Sequence, residues 1–123
     1  MSKTILLVDD EADARAIAHL ALELQTDWTI LQASSGQAAL QTAARNRPDA
    51  ILLDMMMPEM DGRTTLQKLK ANPETADIPV ILVTAKARPL EPSEIESASV
   101  VAVLAKPFRP LELAGQIRAL LQW

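Results

Sequence analysis

Short unbroken apolar runs recur along the chain: Ile5-Leu6-Leu7-Val8, Thr29-Ile30-Leu31, Ala50-Ile51-Leu52-Leu53, Val80-Ile81-Leu82-Val83 and Val100-Val101-Ala102-Val103-Leu104. They are continuous and not alternating, which suits strands covered on both faces, the habit of a parallel sheet flanked by helices. Helical spacing fills the intervals. From Ala12 to Gln25, the residues Ile17, Leu20, Ala21 and Leu24 fall on one helix face. From about Ser35 to Asn46, Ala39, Leu40 and Ala43 point inward, Ser34 or Ser35 caps the first turn, and Pro48 bars continuation. A third helix spans Gly62 to Ala71, presents Leu66 and Leu69 to the sheet, and stops before Asn72-Pro73. The last runs from Pro110 to Leu121 with Leu113, Ile117, Leu120 and Leu121 on one side. Before it, Pro89 and Pro92 interrupt the pattern, so a long ordered loop over Arg88 to Pro92 and a short helix over about Ser93 to Ala98 are expected.

A strand-helix alternation of this kind predicts a doubly wound α/β domain with a five-stranded parallel sheet, helices on both faces and right-handed crossovers. In such sheets ligands bind beyond the carboxyl ends of the strands, where the winding reverses. Chemistry is therefore sought just after each strand.

Composition narrows what that chemistry can be. With 123 residues, 49% of them apolar, the chain fits one domain over residues 1–123, and no effector domain is expected in it. A net charge of −4 gives no cationic field for a phosphate backbone, so no direct nucleic-acid partner is expected. There is no cysteine and His19 is the only histidine, which removes disulfides, thiolate zinc sites and histidine-rich metal centres. Oxygen ligands remain. No stretch approaches the roughly 20 apolar residues of a membrane span, and Met1-Ser2-Lys3-Thr4 runs straight into the first strand, so no membrane partner and a cytoplasmic location are expected.

The residues at the strand ends are Asp9, Asp10 and Glu11 after the first strand, Asp54 at the end of the third, Thr84 at the end of the fourth and Lys106 after the fifth. Asp10 and Asp54 stand 44 residues apart and meet only if the sheet brings those ends together. Crowded carboxylates repel, and a hard divalent ion relieves the repulsion. Magnesium takes a few oxygens and keeps several waters, which fits Asp10 and Asp54 as direct ligands, Asp9 partly through water, and a backbone carbonyl beyond Asp54. Each residue also has an ordinary reading. The acidic triplet can simply cap the first helix, Thr84 can be a β-branched strand residue, and Lys106 can be an exposed lysine. Their joint placement is what favours a site.

These residues resemble the receiver domain of two-component response regulators (CheY-like) over essentially the whole chain. The resemblance rests on Leu7-Val8-Asp9-Asp10-Glu11, on Asp54-Met55-Met56-Met57-Pro58 followed by Met60-Asp61-Gly62, on Val83-Thr84-Ala85, and on Lys106-Pro107-Phe108. Thr84 lies 30 residues after Asp54 and Lys106 lies 52 after it, at the family spacing. The resemblance implies the flavodoxin-like strand order 2-1-3-4-5. It implies Asp54 as phosphoacceptor, Asp9, Asp10 and Asp54 as metal-binding acids with the Met56 carbonyl, and Mg2+ or Mn2+ as the cofactor. It implies Thr84 as the switch hydroxyl, Lys106 as the phosphate-contacting ammonium, and a cis Lys106-Pro107 bond. The partners implied are a sensor histidine kinase or a histidine phosphotransfer protein, and a downstream protein target. On this reading the chain is not an enzyme but a phosphoacceptor that assists its own modification and its own dephosphorylation.

The sequence departs from the family at Val103, where an aromatic residue three positions before the lysine commonly swings inward. Valine is stiff and cannot swing as far, so a weak response of the output surface, or one routed through the loop Arg88 to Pro92, is expected. Ser99 stands where glycine is usual, and Met56 and Lys86 occupy positions that commonly tune dephosphorylation. The alternative kept open by Val103 is a receiver fold serving as a phosphorylation-independent docking module. A flavodoxin-like cofactor domain and an aspartyl-phosphate hydrolase fit less well, since Asp9-Asp10-Glu11 would repel a cofactor phosphate and Met56 stands where the hydrolase motif has an acid. A monomer or a weak homodimer is expected.

Overall fold

The computed structural model describes residues 3–55, 57, 60–84, 100–105 and 109–123. In chain order the elements are β1 (Thr4–Val8), α1 (Ala12–Gln25), β2 (Thr29–Ala33), α2 (Gly36–Asn46), β3 (Ala50–Asp54), α3 (Gly62–Ala71), β4 (Val80–Thr84), β5 (Val100–Ala105) and α4 (Pro110–Leu121). The strands form one parallel sheet in the order β2-β1-β3-β4-β5, as the resemblance implied. The expected loop Arg88 to Pro92 and short helix Ser93 to Ala98 lie outside the described residues, as do Met56, Lys86, Ser99 and Lys106-Pro107-Phe108.

The runs of β1, β3 and β4 behave as their lack of alternation predicts, with side chains buried on both faces of the sheet. The edge strand β2 instead has Thr29 and Gln32 exposed, and Val100, Ala102, Val103 and Leu104 of β5 are half-buried. Ile5, Leu7, Leu52, Ile81 and Val83 pack with Ala18 and Leu22 of α1 and with Leu113, Ala114 and Ile117 of α4. Leu6, Val8, Ile51, Leu53, Val80 and Leu82 face the other way, against Ala39 and Ala43 of α2 and Leu66 and Leu69 of α3. Removing such side chains from water is the main stabilising term, about 1.5–3 kcal/mol for each large aliphatic fully buried.

Helix ends follow the local chemistry. Ser35 caps α2, its side chain accepting from the Ala38 N–H at 3.1 Å, and the helix closes at Arg47 in a left-handed conformation just before Pro48. Asp61 caps α3 through the Thr64 N–H at 2.8 Å, and extended Asn72 ends that helix ahead of Pro73. Pro110 opens α4.

The face of α1 differs from the expectation. Ala18, Ala21 and Leu22 are its buried residues, while Ile17, Leu20 and Leu24 are 53%, 56% and 74% exposed. The sheet already presents Ile5, Leu7 and Leu52 on that side, and α4 adds Leu113 and Ile117. Small alanines let α1 settle onto these bulky groups, and an interior packed to native density has no room for the larger stripe as well. Of the residues assigned to one face, only Ala21 is buried.

β5 carries an irregularity that bears on Val103. Val80 pairs with Val100 but Ile81 pairs with Ala102, so Val101 is the extra residue of a bulge. Beyond it, Leu82 pairs with Val103 and Thr84 with Ala105. Val103 is half-buried against the α2 and α3 side of the core. At the opposite edge of the sheet, Trp28 and Trp123 stack edge to face at 4.9 Å, flanked by Arg118 over Trp28. Among the described residues no helix is long and apolar enough to cross a membrane.

Candidate functional site

Register alone brings the acids together. Val8 pairs with Leu53 in a parallel ladder, so the next residues, Asp9 and Asp54, emerge side by side from neighbouring strand tips. Asp54 pairs with Val83, which sets Thr84 one residue beyond it on the other flank. The Asp9 N–H donates to the Ala33 carbonyl at 3.2 Å and the Met55 N–H to the Val83 carbonyl at 2.9 Å, so the ladder continues past the strands into the site.

Carboxylate oxygens of Asp9, Asp10 and Asp54 lie within 4.8 Å of one another. Burial grades from Asp10, which is exposed, through half-buried Asp9 to Asp54, which is 2% exposed. A buried carboxylate among like charges is costly unless it is paired. An all-oxygen donor set graded from buried Asp54 to exposed Asp10 matches a hard divalent cation that retains water, and the residues present fit Mg2+. Beneath the acids, a cavity of about 20 Å³, room for one water, is lined by Asp9, Arg15, Asp54, Leu7, Leu52 and Val83 among others.

Helix capping accounts for only part of the acidic triplet. The Asp9 side chain accepts from the Glu11 N–H at 2.9 Å, making a local turn, but Glu11 at the N-cap of α1 makes no side-chain capping bond. Asp10 has no part in either interaction. The turn therefore engages Asp9 alone of the three acids, and helix capping is not what brings Asp54 to them.

On the far wall, α3 begins very close to the end of β3. The Gly62 N–H donates to the Met55 carbonyl at 3.1 Å, and a Cβ at Gly62 would come within 2.5 Å of the Asp54 carbonyl oxygen. Only glycine fits here, for reasons of space. The Asp61 carboxyl that starts this helix is held below the ordinary carboxylate value, chiefly by the Thr64 N–H, against an opposing effect of burial and with help from Arg63. Gly62 appeared in the sequence as part of a motif and as the start of the third helix, not as a close contact, and Arg15, which reaches the Asp9 carbonyl at 2.6 Å, was not singled out there. Its one legible hint is a position one helical turn beyond Glu11.

Of the residues singled out from sequence, the structure thus gathers Asp9, Asp10 and Asp54 and places Thr84 beside them at the end of β4. Met56 and Lys106 lie outside the described residues. With this geometry in view, the chain matches the family model described as "Response regulator receiver domain" over residues 5–118. The chain belongs to this receiver family. It is 39% identical over 99% of its length to the phosphate regulon transcriptional regulatory protein PhoB of Pseudomonas aeruginosa, covering 53% of that protein. It is 38% identical, again over 99%, to the transcriptional regulatory protein SrrA of Staphylococcus aureus, covering 49% of it. This receiver domain therefore spans about half the length of these relatives. Among solved structures, the N-terminal domain of a response regulator receiver protein from Methanoculleus marisnigri superimposes with a TM-score of 0.77 at 34% identity, with 98% of each chain covered.

Proposed function

We propose that this receiver domain accepts a phosphoryl group from the phosphohistidine of a sensor histidine kinase or a histidine phosphotransfer protein onto Asp54, in a reaction that requires Mg2+ or Mn2+. The observation that carries the reading is the convergence of a buried Asp54 with Asp9 and Asp10 within 4.8 Å at the strand ends. Asp9, Asp10 and Asp54 hold the metal, together with the Met56 carbonyl. When bound, the ion supplies charge neutralisation between the Asp54 carboxylate and the incoming phosphoryl oxygens.

An Asp54 carboxylate oxygen attacks phosphorus, an O–P bond forms, and the N–P bond to the partner's imidazole breaks with its electron pair returning to nitrogen. Asp54 is 2% exposed at the end of β3, so the phosphoryl group must be brought to it at the strand ends. Lys106 offers an ammonium to the equatorial oxygens, and Thr84 turns its hydroxyl toward the new dianion. A hydrogen bond to a charged group contributes about 1.5–3 kcal/mol, enough to shift a two-state equilibrium roughly tenfold to a hundredfold. The domain is thus consumed and regenerated as a phosphoacceptor, which is why we class it as a switch and not an enzyme. Its output is contact with a downstream protein.

Incubation with Mg2+ and a small-molecule phosphodonor, followed by intact mass, tests the reading. One added phosphoryl group on the wild type and none on Asp54→Ala is the expected result. No addition to the wild type overturns it in favour of a phosphorylation-independent docking module, the alternative that Val103 supports.

A further inference from the structure

Arg15 is a half-buried cation at the edge of the acidic site, and the reading above gives it no task. Its Nη1 donates to the Asp9 carbonyl at 2.6 Å and its Nε donates to Gln32 Oε1 at 2.9 Å. That second bond fixes the orientation of the Gln32 amide, whose nitrogen then donates to His19 Nδ1. The His19 ring proton is therefore on Nε2, which donates to Glu23 at 2.7 Å. Residue by residue, this is a strut from the β1–α1 loop across β2 and back onto α1.

The carbonyl that Arg15 grips belongs to the peptide joining Asp9 to Asp10. The Asp9 N–H is already tied to Ala33 and the Asp9 side chain to Glu11. Arg15 holds the carbonyl as well, and pinning this peptide plane sets the backbone torsions on either side of it and so the direction in which each acid leaves the chain. Asp10 depends on it most, being exposed and held by no other bond of the loop described above. The guanidinium spends both of these bonds on neutral acceptors, a carbonyl and an amide oxygen, which is the behaviour of a strut and not of a counter-ion.

We infer that Arg15 is a positioning residue for the metal-binding acids, ordering the Asp9-Asp10 peptide, with Gln32 fixing the guanidinium in turn. This rests on the reading of Asp9, Asp10 and Asp54 as a divalent-cation site. It also makes a claim whose sign is unusual: deleting a cation beside three carboxylates should, by Coulomb attraction alone, tighten metal binding. Ordering predicts the reverse, since outer partners that orient ligands typically contribute about 10–100-fold in metal affinity.

The experiment titrates the unphosphorylated chain with Mn2+ and counts free ion by electron paramagnetic resonance, for wild type, Asp10→Asn, Arg15→Gln, Arg15→Lys and Gln32→Leu, with a thermal melt of each. Expected is Mn2+ binding about tenfold weaker for Arg15→Gln, and weaker by a smaller factor for Gln32→Leu. Arg15→Lys, which keeps the charge but cannot span both acceptors, falls between wild type and Arg15→Gln. Unchanged or tighter Mn2+ binding in Arg15→Gln, with a wild-type site that Asp10→Asn abolishes, overturns the inference and leaves the metal site standing. A wild type that binds no Mn2+, or binds it as well after Asp10→Asn, removes the metal site and the inference together. If Arg15→Gln does not fold, Gln32→Leu decides, since Gln32 is exposed on β2, and unchanged affinity there overturns the proposal.

Discussion

At the scale of single residues, the site depends on close approach as much as on charge. Gly62→Ala would push a Cβ to 2.5 Å from the Asp54 carbonyl oxygen and 2.6 Å from the Met55 Cα, both backbone atoms that cannot rotate away. We expect a loss of about 1–3 kcal/mol in urea unfolding, as overpacking typically costs, together with slower phosphoryl uptake because β3 and α3 must separate beside Asp54. Asp61, next to it, gives a pH signature. Its folded-state pKa is lowered, so the stability it contributes is fully present above the unfolded carboxylate value and is lost as pH falls through the folded one. Asparagine caps a helix about as well as aspartate but carries no charge. Wild type is therefore expected to melt above Asp61→Asn at neutral pH, and the gap is expected to close once pH drops below the folded value; the effect is small because this carboxyl is largely exposed.

At the scale of elements, α1 shows how two apolar stripes on one helix compete. Periodicity identified the helix from Ala12 to Gln25 and its spacing, but hydrophobicity ranked Ile17, Leu20 and Leu24 above Ala18. Steric fit against Ile5, Leu7 and α4 ranked them the other way. Ala18→Leu is accordingly expected to destabilise by about 1–3 kcal/mol through overpacking, whereas Leu20→Lys should stay within about 0.5 kcal/mol of wild type. Chemical denaturation of both variants checks the ranking, and equal losses would contradict it. β5 makes a second prediction. With a stiff valine packed opposite Leu82 at position 103, beryllofluoride loading should move backbone amide resonances of β5 little, and large shifts through Val103 would show that the strand switches without an aromatic.

For the molecule as a whole, cation binding at the proposed site and folding would share one stability balance. A ligand that binds only the folded state stabilises it by mass action, about 2.7 kcal/mol at a hundredfold excess over Kd. Saturating Mg2+ should therefore raise the wild-type melting temperature by several degrees and leave Asp10→Asn unmoved. Leu113→Ala, at a fully buried position on the inner face of α4 and outside the acidic cluster, should cost about 2–5 kcal/mol while leaving Mg2+ affinity near wild type. A parallel loss of affinity and stability in that variant would mean the site is not preformed.

The strands, four helices, the Ser35 cap of α2, the proline start of α4 and the family were legible in the chain because each is written in local periodicity, turn chemistry or short motifs, and such signals act over a few residues; the Asp61 cap of α3 was not singled out. The three acids were legible as residue types, and their meeting followed once the order of strands was borrowed from the resemblance. What sequence alone could not settle was anything decided by steric competition or by side chains folding back across elements. The inward face of α1 depended on how much room β1 and α4 left, the need for glycine at position 62 on a gap between β3 and α3, and the reach of Arg15 to the Asp9 carbonyl on β2 supplying Gln32 beside it. Local preference is a property of the chain, whereas packing and long-range hydrogen bonds exist only after the sheet has assembled.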